Sequence, residues 1–173
     1  PWTDEYASKY SEKYGEDILD KLPEVFYESS DGVKSVTRYR YHEFTTELFA
    51  TAFADQYGSW CRNNNLPMTG HIMNEQLLSN QTFSVGDAMR HYRNFGIPGI
   101  DMLLDGHEYV TAKQCQSMVN QNGNEAMLCE LDGVTNWDFD FKHHKHHGDW
   151  QAALGVTVRV PHLAWYAMNG ESK

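Results

Sequence analysis

Apolar positions follow a helical rhythm in the first third of the chain and a mixed rhythm after it. Thr3 can cap a first helix, with Asp4 and Glu5 suited to its positive end, and Gly15 interrupts it. Ile18, Leu19, Leu22, Val25 and Phe26 then repeat at helical spacing, and Pro23 shortens or bends that helix. A loop is predicted at 29–32. Over 39–63, Phe44, Leu48, Phe49, Ala52, Phe53, Tyr57, Trp60 and Cys61 mark one side of a long amphipathic helix. That aromatic stripe reads as core packing, and the polar run 62–65 ends the helix.

Beyond residue 65 short apolar runs alternate with helical segments. Strands are predicted at 66–72, 100–104, 125–129 and 156–160, the last rich in β-branched residues. Helices are predicted at 83–95, from a Thr111 cap to Gly123, and at 147–154 before Gly155. Strand starts recur about every 30 residues, the length of a βαβ unit, so the class is α/β with a parallel sheet. Two architectures fit. One is the C-terminal half of a (β/α)8 TIM barrel with about four strands, and the other is a doubly wound open sheet. Every predicted strand delivers an ionisable residue near its C-terminal end, which in a barrel converges on one mouth. No glycine-rich phosphate loop follows any strand, which favours the barrel. Residues 1–38 then form a helical insertion or connector and 39–173 the β/α units of one partial catalytic domain. Four strands cannot close a barrel, so the missing half is expected upstream or from a partner.

Composition narrows the function. A chain of 173 residues is one domain or part of one. A formal charge of -10 argues against nucleic acid as partner, since phosphate binding needs a cationic face. Cys61, Cys115 and Cys129 each sit in an apolar periodic segment and read as small buried hydrophobes, neither disulfides nor a zinc site. No apolar run approaches the roughly 20 residues of a membrane helix, and no signal peptide is recognisable. The start at Pro1 without Met and the end at 170–173 without a closing element suggest a segment of a longer protein.

The stretch 127–141, MLCELDGVTNWDFDF, concentrates the candidate chemistry. A short apolar run ends in Glu130, and a turn leads to aromatic residues alternating with acids. Glycoside hydrolysis needs two carboxyl groups flanking the bond, and Glu75 and Glu130 each lie at a predicted strand end. Asp101, His71 and His162 are candidates for binding sugar hydroxyls, and Gly70 lets something approach closely beside His71. Asn136, Trp137 and Asp138 are further substrate-binding candidates, and Trp137, Phe139 and Phe141 can offer stacking faces. The run HHKHH at 143–147 reads as a loop that does not gather one metal ion. Two other classes stay open. One is a carbohydrate-binding or scaffold piece without turnover, and the other a metal-dependent barrel hydrolase using His71, Asp101 and His162.

Four blocks in order resemble one kind of protein: TGHIMNEQ at 69–76, SNQTFSVGDAMRHYRNFGIPGIDML at 79–103, TAKQCQSMVNQNGNEAMLCELDGVTNWDFDF at 111–141 and WQAALGVTVRVPHLAWYAM at 150–168. They resemble the catalytic barrel of large bacterial glycoside hydrolases, the α-L-rhamnosidase-like and β-galactosidase-like group, over roughly residues 39–173. The resemblance implies a (β/α)8 domain flanked by β-sandwich modules, acting on oligosaccharides or glycosides in the breakdown of plant or host glycans. It implies that Glu130 is a catalytic glutamate, that Glu75 is its partner, and that His162 stands at the mouth after the last strand. No cofactor is expected, although calcium occurs in some rhamnosidase-type members. Neither nucleic acid nor membrane is an expected partner, and a periplasmic or secreted location goes with a glycan-degrading bacterium.

Overall fold

A computed structural model describes residues 2–104 and 106–163. The expectation about the end at 170–173 lies outside them. The chain builds a four-stranded parallel sheet with helices, in the order α1 (Tyr6–Tyr14), α2 (Ile18–Phe26), α3 (Val36–Phe49), a π-helical turn (Ala50–Asp55), α4 (Gln56–Asn63), β1 (Thr69–Gly70), α5 (Leu78–Ser84), α6 (Ala88–Tyr92), β2 (Ile97–Met102), α7 (Tyr109–Asn122), β3 (Leu128–Leu131), α8 (Phe141–Ala153) and β4 (Val158–Pro161). The strands lie side by side as β1-β2-β3-β4, all parallel, with no reversal of order.

Period-two alternation gives the sheet two unlike faces. Ile100, Met102, Cys129 and Leu131 share one face and a core with Ala54, Cys61, Ala88, Tyr92, Ala112 and Cys115 from the helices. The alternate residues Asp101, Leu128, Glu130, Val158 and Val160 are absent from that core and are half-buried or exposed. A second core of Tyr6, Tyr10, Ile18, Val25 and Phe44 seats α1 and α2 on α3. Cys61, Cys115 and Cys129 are all buried and free, as their apolar settings predict, and burial pushes the Cys129 thiol up to about 12. Among the described residues no helix is long and apolar enough to cross a membrane.

Several boundaries differ from the sequence reading. The predicted helix 39–63 starts at Val36, where Ser35 accepts a hydrogen bond from the Arg38 N–H at 3.2 Å, and a π turn divides it. Its aromatic stripe is only partly core. Phe44 is buried, but Phe49, Phe53 and Tyr57 stack near-parallel on the surface with centroids 5.6 and 6.2 Å apart. The predicted helix 83–95 is two helices broken at Gly86, whose φ is +83°. A Cβ there would lie 1.8 Å from Thr46 Oγ1, so the break is also where α3 makes its closest approach. Asp87 restarts the chain as the cap of α6, accepting from the Met89 N–H at 3.0 Å.

Neither Thr3 nor Thr111 acts as a cap. Glu5 and Glu108 hold those positions without a side-chain cap bond, and Thr111 lies inside α7, donating to Glu108 Oε2 at 2.9 Å. Gly15 and Gly123 do end their helices, in the left-handed conformation that glycine adopts without cost. The HHKHH run is helix, not loop. Asp140 caps α8 by accepting from the N–H groups of Lys142 and His143, which starts the helix six residues before the predicted 147.

Candidate active site

Register places the first pair of groups. β2 and β3 run in parallel with Asp101 opposite Glu130, so both carboxylates stand on the face opposite the helix-packed core. The strands are shifted from their predicted bounds, and Glu130 lies within β3 rather than just past it. Leu131 follows it on the buried face, so the alternation, not the strand end, presents Glu130 to solvent. His71 follows β1 directly. Its Nε2 lies 3.9 Å from Asp101 Oδ2 and 3.7 Å from Glu130 Oε2, and its Nδ1 is 3.1 Å from the Ile72 carbonyl. That carbonyl only accepts, so Nδ1 carries the hydrogen and Nε2 faces the two acids. Gly99 permits this approach of strands, since a Cβ there would lie 2.6 Å from the Gly70 carbonyl oxygen.

Asp101 is the electrostatic centre of the group. Burial lifts its carboxyl above the ordinary value; His71 pulls it back, Glu130 raises it, and His162 lowers it slightly. Its Oδ1 is buried with no hydrogen-bond partner. His162 stands just beyond β4, held by its N–H to the Leu131 carbonyl at 2.7 Å, with its ring against Gly133. The N–H of Leu104 donates to the Gly133 carbonyl at 2.8 Å, tying the loop after β2 to the loop after β3.

Glu75 occupies a different environment. It lies in a turn five residues after β1 and is 4% exposed, while His71 four residues earlier is exposed. Tyr92 Oη donates to its Oε1. Burial pushes the Glu75 carboxyl up to about 8, against the Ile72 backbone hydrogen bond, and Glu108 and Asp101 push it further in the same direction. No cation is among these causes. At neutral pH Glu75 is therefore largely a neutral acid that can give a proton.

The structure separates the aromatic run. Asn136, Trp137 and Asp138 are exposed in the loop between β3 and α8, and Trp137 is 88% exposed. Phe139 instead packs on α8, with its ring 5.3 Å from that of His143 and 4.7 Å from that of His144. Phe141 opens α8 and is 92% exposed. Thus Trp137 presents a free flat face, and Phe139 does not.

Two residues of this site were not singled out from sequence. Tyr92 reads as one more apolar position of its helix, yet a tyrosine at 0% exposure needs a hydrogen-bond partner, and that requirement points to a buried acid. Glu108 gives no such signal, because it reads as an ordinary residue before a helix. Comparison with protein-family models, with curated proteins and with solved structures gives no match to this chain.

Proposed function

We propose that the chain is part of a (β/α)8 barrel glycoside hydrolase, with Glu75 as general acid and Glu130 as base or nucleophile. The carrying observation is Glu75: a buried carboxyl, held neutral without a cation, that shares Asp101 as a charged neighbour with a group containing the half-exposed Glu130. Two acids in environments this unlike are how one site supplies both an acid and a base. The barrel reading rests on strand order and sidedness. A doubly wound sheet reverses its strand order at a switch point, and the four strands of the described residues follow one another in order. Parallel sheets are covered on both faces, and among the described residues Asp101 and Glu130 lie outside the helix-packed core, on the sheet's other face. In a barrel that face is the interior, which puts the carboxylates at the mouth.

In this reading the leaving oxygen of a glycoside takes the Glu75 proton. Glu130 then either attacks the anomeric carbon or activates a water that does, and His71 and Asp101 orient the sugar hydroxyls. Trp137 offers an apolar sugar face a place to stack. The test is hydrolysis of a panel of aryl glycosides by the protein and by Glu130→Gln. A fall in kcat of about 10²–10⁴-fold is expected for loss of one acid–base group. Unchanged hydrolysis by the variant sinks the assignment.

One observation favours a second reading, a metal-dependent hydrolase. A nitrogen of His71 and one oxygen each of Asp101 and Glu130 lie within 4.8 Å of one another, a group able to hold a divalent ion. His162, expected as a ligand, is replaced in it by Glu130. The imidazole suits zinc, iron or nickel rather than calcium, which takes oxygen ligands. Hydrolysis that disappears with a chelator and returns with added metal selects this reading over the first.

A further inference from the structure

We propose that Leu104, Val134 and Leu163 form an apolar rim beside the carboxylate group and receive the non-sugar part of the substrate, an alkyl or aryl group joined to the sugar; this rests on the glycoside hydrolase reading of that site. Leu104 lies three residues beyond Asp101, and Val134 four beyond Glu130, in the loops that leave β2 and β3. Neither Cα can therefore be more than about 14 Å from the Cα of its acid. Leu163 follows His162 after β4 and is exposed. Leu104 is 54% exposed and Val134 69%.

The backbone singles out two of these residues. Leu104 has a φ of +60° and Val134 a φ of +57°. Asn65, Asn74 and Asp132 share this left-handed region, but short polar side chains tolerate it. A leucine adopts it rarely, and for a β-branched valine it is a genuine outlier. Burial could offset the cost, yet both side chains stand in solvent. Backbone strain persists where the surroundings over-determine the chain, and it gathers at ligand sites. Here the Leu104 N–H donates to the Gly133 carbonyl at 2.8 Å, and the His162 N–H to the Leu131 carbonyl at 2.7 Å. A Cβ on Gly133 would lie 2.7 Å from the Leu103 side chain and 2.8 Å from the His162 ring. Asp132 pairs with His144 and His147 of α8 at 3.1 and 3.5 Å. The loops after β2, β3 and β4 thus form one connected unit that holds Leu104 and Val134 out of the core.

The side chains, not the turns, explain these residues. Glycine at 134 or asparagine at 104 would satisfy the same backbone without an exposed hydrocarbon. Branched aliphatic groups make no hydrogen bonds with sugar hydroxyls, and they lack the flat ring on which the apolar face of a sugar stacks. Trp137, three residues after Val134, supplies that ring. Leu104 and Val134 instead suit a hydrocarbon group that leaves water against them. A sugar held over His71, Asp101 and Glu130 sets such a group on the rim.

The test titrates the whole protein carrying Glu130→Gln, so that binding is read without turnover, with hexyl and methyl glycosides of the common hexoses and pentoses. The hexyl compound of the preferred sugar is expected to bind at least ~10-fold tighter than the methyl one, a fraction of what burying five methylenes supplies. Val134→Gly and Leu104→Asn, each added to that protein, are expected to reduce the hexyl advantage by ~3–10-fold and to leave methyl-glycoside affinity unchanged. Val134→Gly also relieves the positive φ, so its Tm is expected to rise by ~2–4 °C. The proposal is overturned if hexyl and methyl glycosides bind alike, if neither kind binds, or if Val134→Gly lowers Tm. Hydrolysis by the wild-type protein is read separately. Turnover without a hexyl preference removes the rim and keeps the enzyme, and a hexyl preference without turnover keeps the apolar site and removes the enzyme.

Discussion

Replacing Glu75 by glutamine removes one titration from the protein while keeping the shape of the side chain and an oxygen for the Tyr92 hydroxyl. Burial moves the Glu75 carboxyl from its ordinary 4.5 to about 8 in the folded chain. The folded state then holds the Glu75 proton more tightly than the unfolded chain. Between those two values the native protein binds more protons, so stability falls as pH rises. The contribution is fully present below pH 4.5 and is gone above about pH 8. At about 1.4 kcal/mol per pH unit across that interval, ionising Glu75 costs the fold about 5 kcal/mol. Glu75→Gln has no such loss. Urea unfolding followed by tryptophan fluorescence is expected to give similar stabilities for the two proteins near pH 5. Near pH 9 the variant is expected to be more stable by several kcal/mol, which for a chain of this size raises Tm by roughly 10–20 °C. A stability difference that stays constant between these pH values would refute the picture of Glu75 as a buried neutral acid. The same variant is expected to lose hydrolysis of substrates with poor leaving groups, so stability gained at alkaline pH and activity lost have one origin.

Two further outcomes are expected. Gly86→Ala puts a Cβ onto Thr46 at a positive φ, and is expected to lower unfolding free energy by ~2–4 kcal/mol in the same urea assay, the range for overpacking combined with backbone strain. Trp137→Ala removes an 88% exposed ring, so stability is expected to stay within about 0.5 kcal/mol of wild type, while KM for a glycoside rises several-fold; an unchanged KM removes Trp137 from the sugar site.

Much of the fold is legible because its signals are local. Alternating strand and helix segments, glycine at the ends of α1 and α7, and apolar cysteines all follow from residue type and period. The misread boundaries fail for two different reasons, one local and one long-range. Asp140 is a strong helix cap hidden among aromatics and acids, so the histidine run after it reads as a loop. Gly86 broke a periodic helix because Thr46, forty residues earlier, occupies the space a side chain would need.

The candidate site divides along the same line. Sequence alone supplied an α/β chain with acids and histidines close to its strands, because strand period and chemistry are written residue by residue. Which of those groups meet is a matter of register and burial, and these are set by contacts between distant segments. Asp101 and Glu130 are neighbours because β2 and β3 pair in that register, and His71 joins them because Gly99 lets β1 come close. Glu75 became a neutral acid only when Tyr92 and the helical core removed it from water, and the desolvation of a carboxyl cannot be read from its neighbours in the chain. Likewise Asp132 meets His144 and His147 of α8 only after the turn that follows β3 has closed.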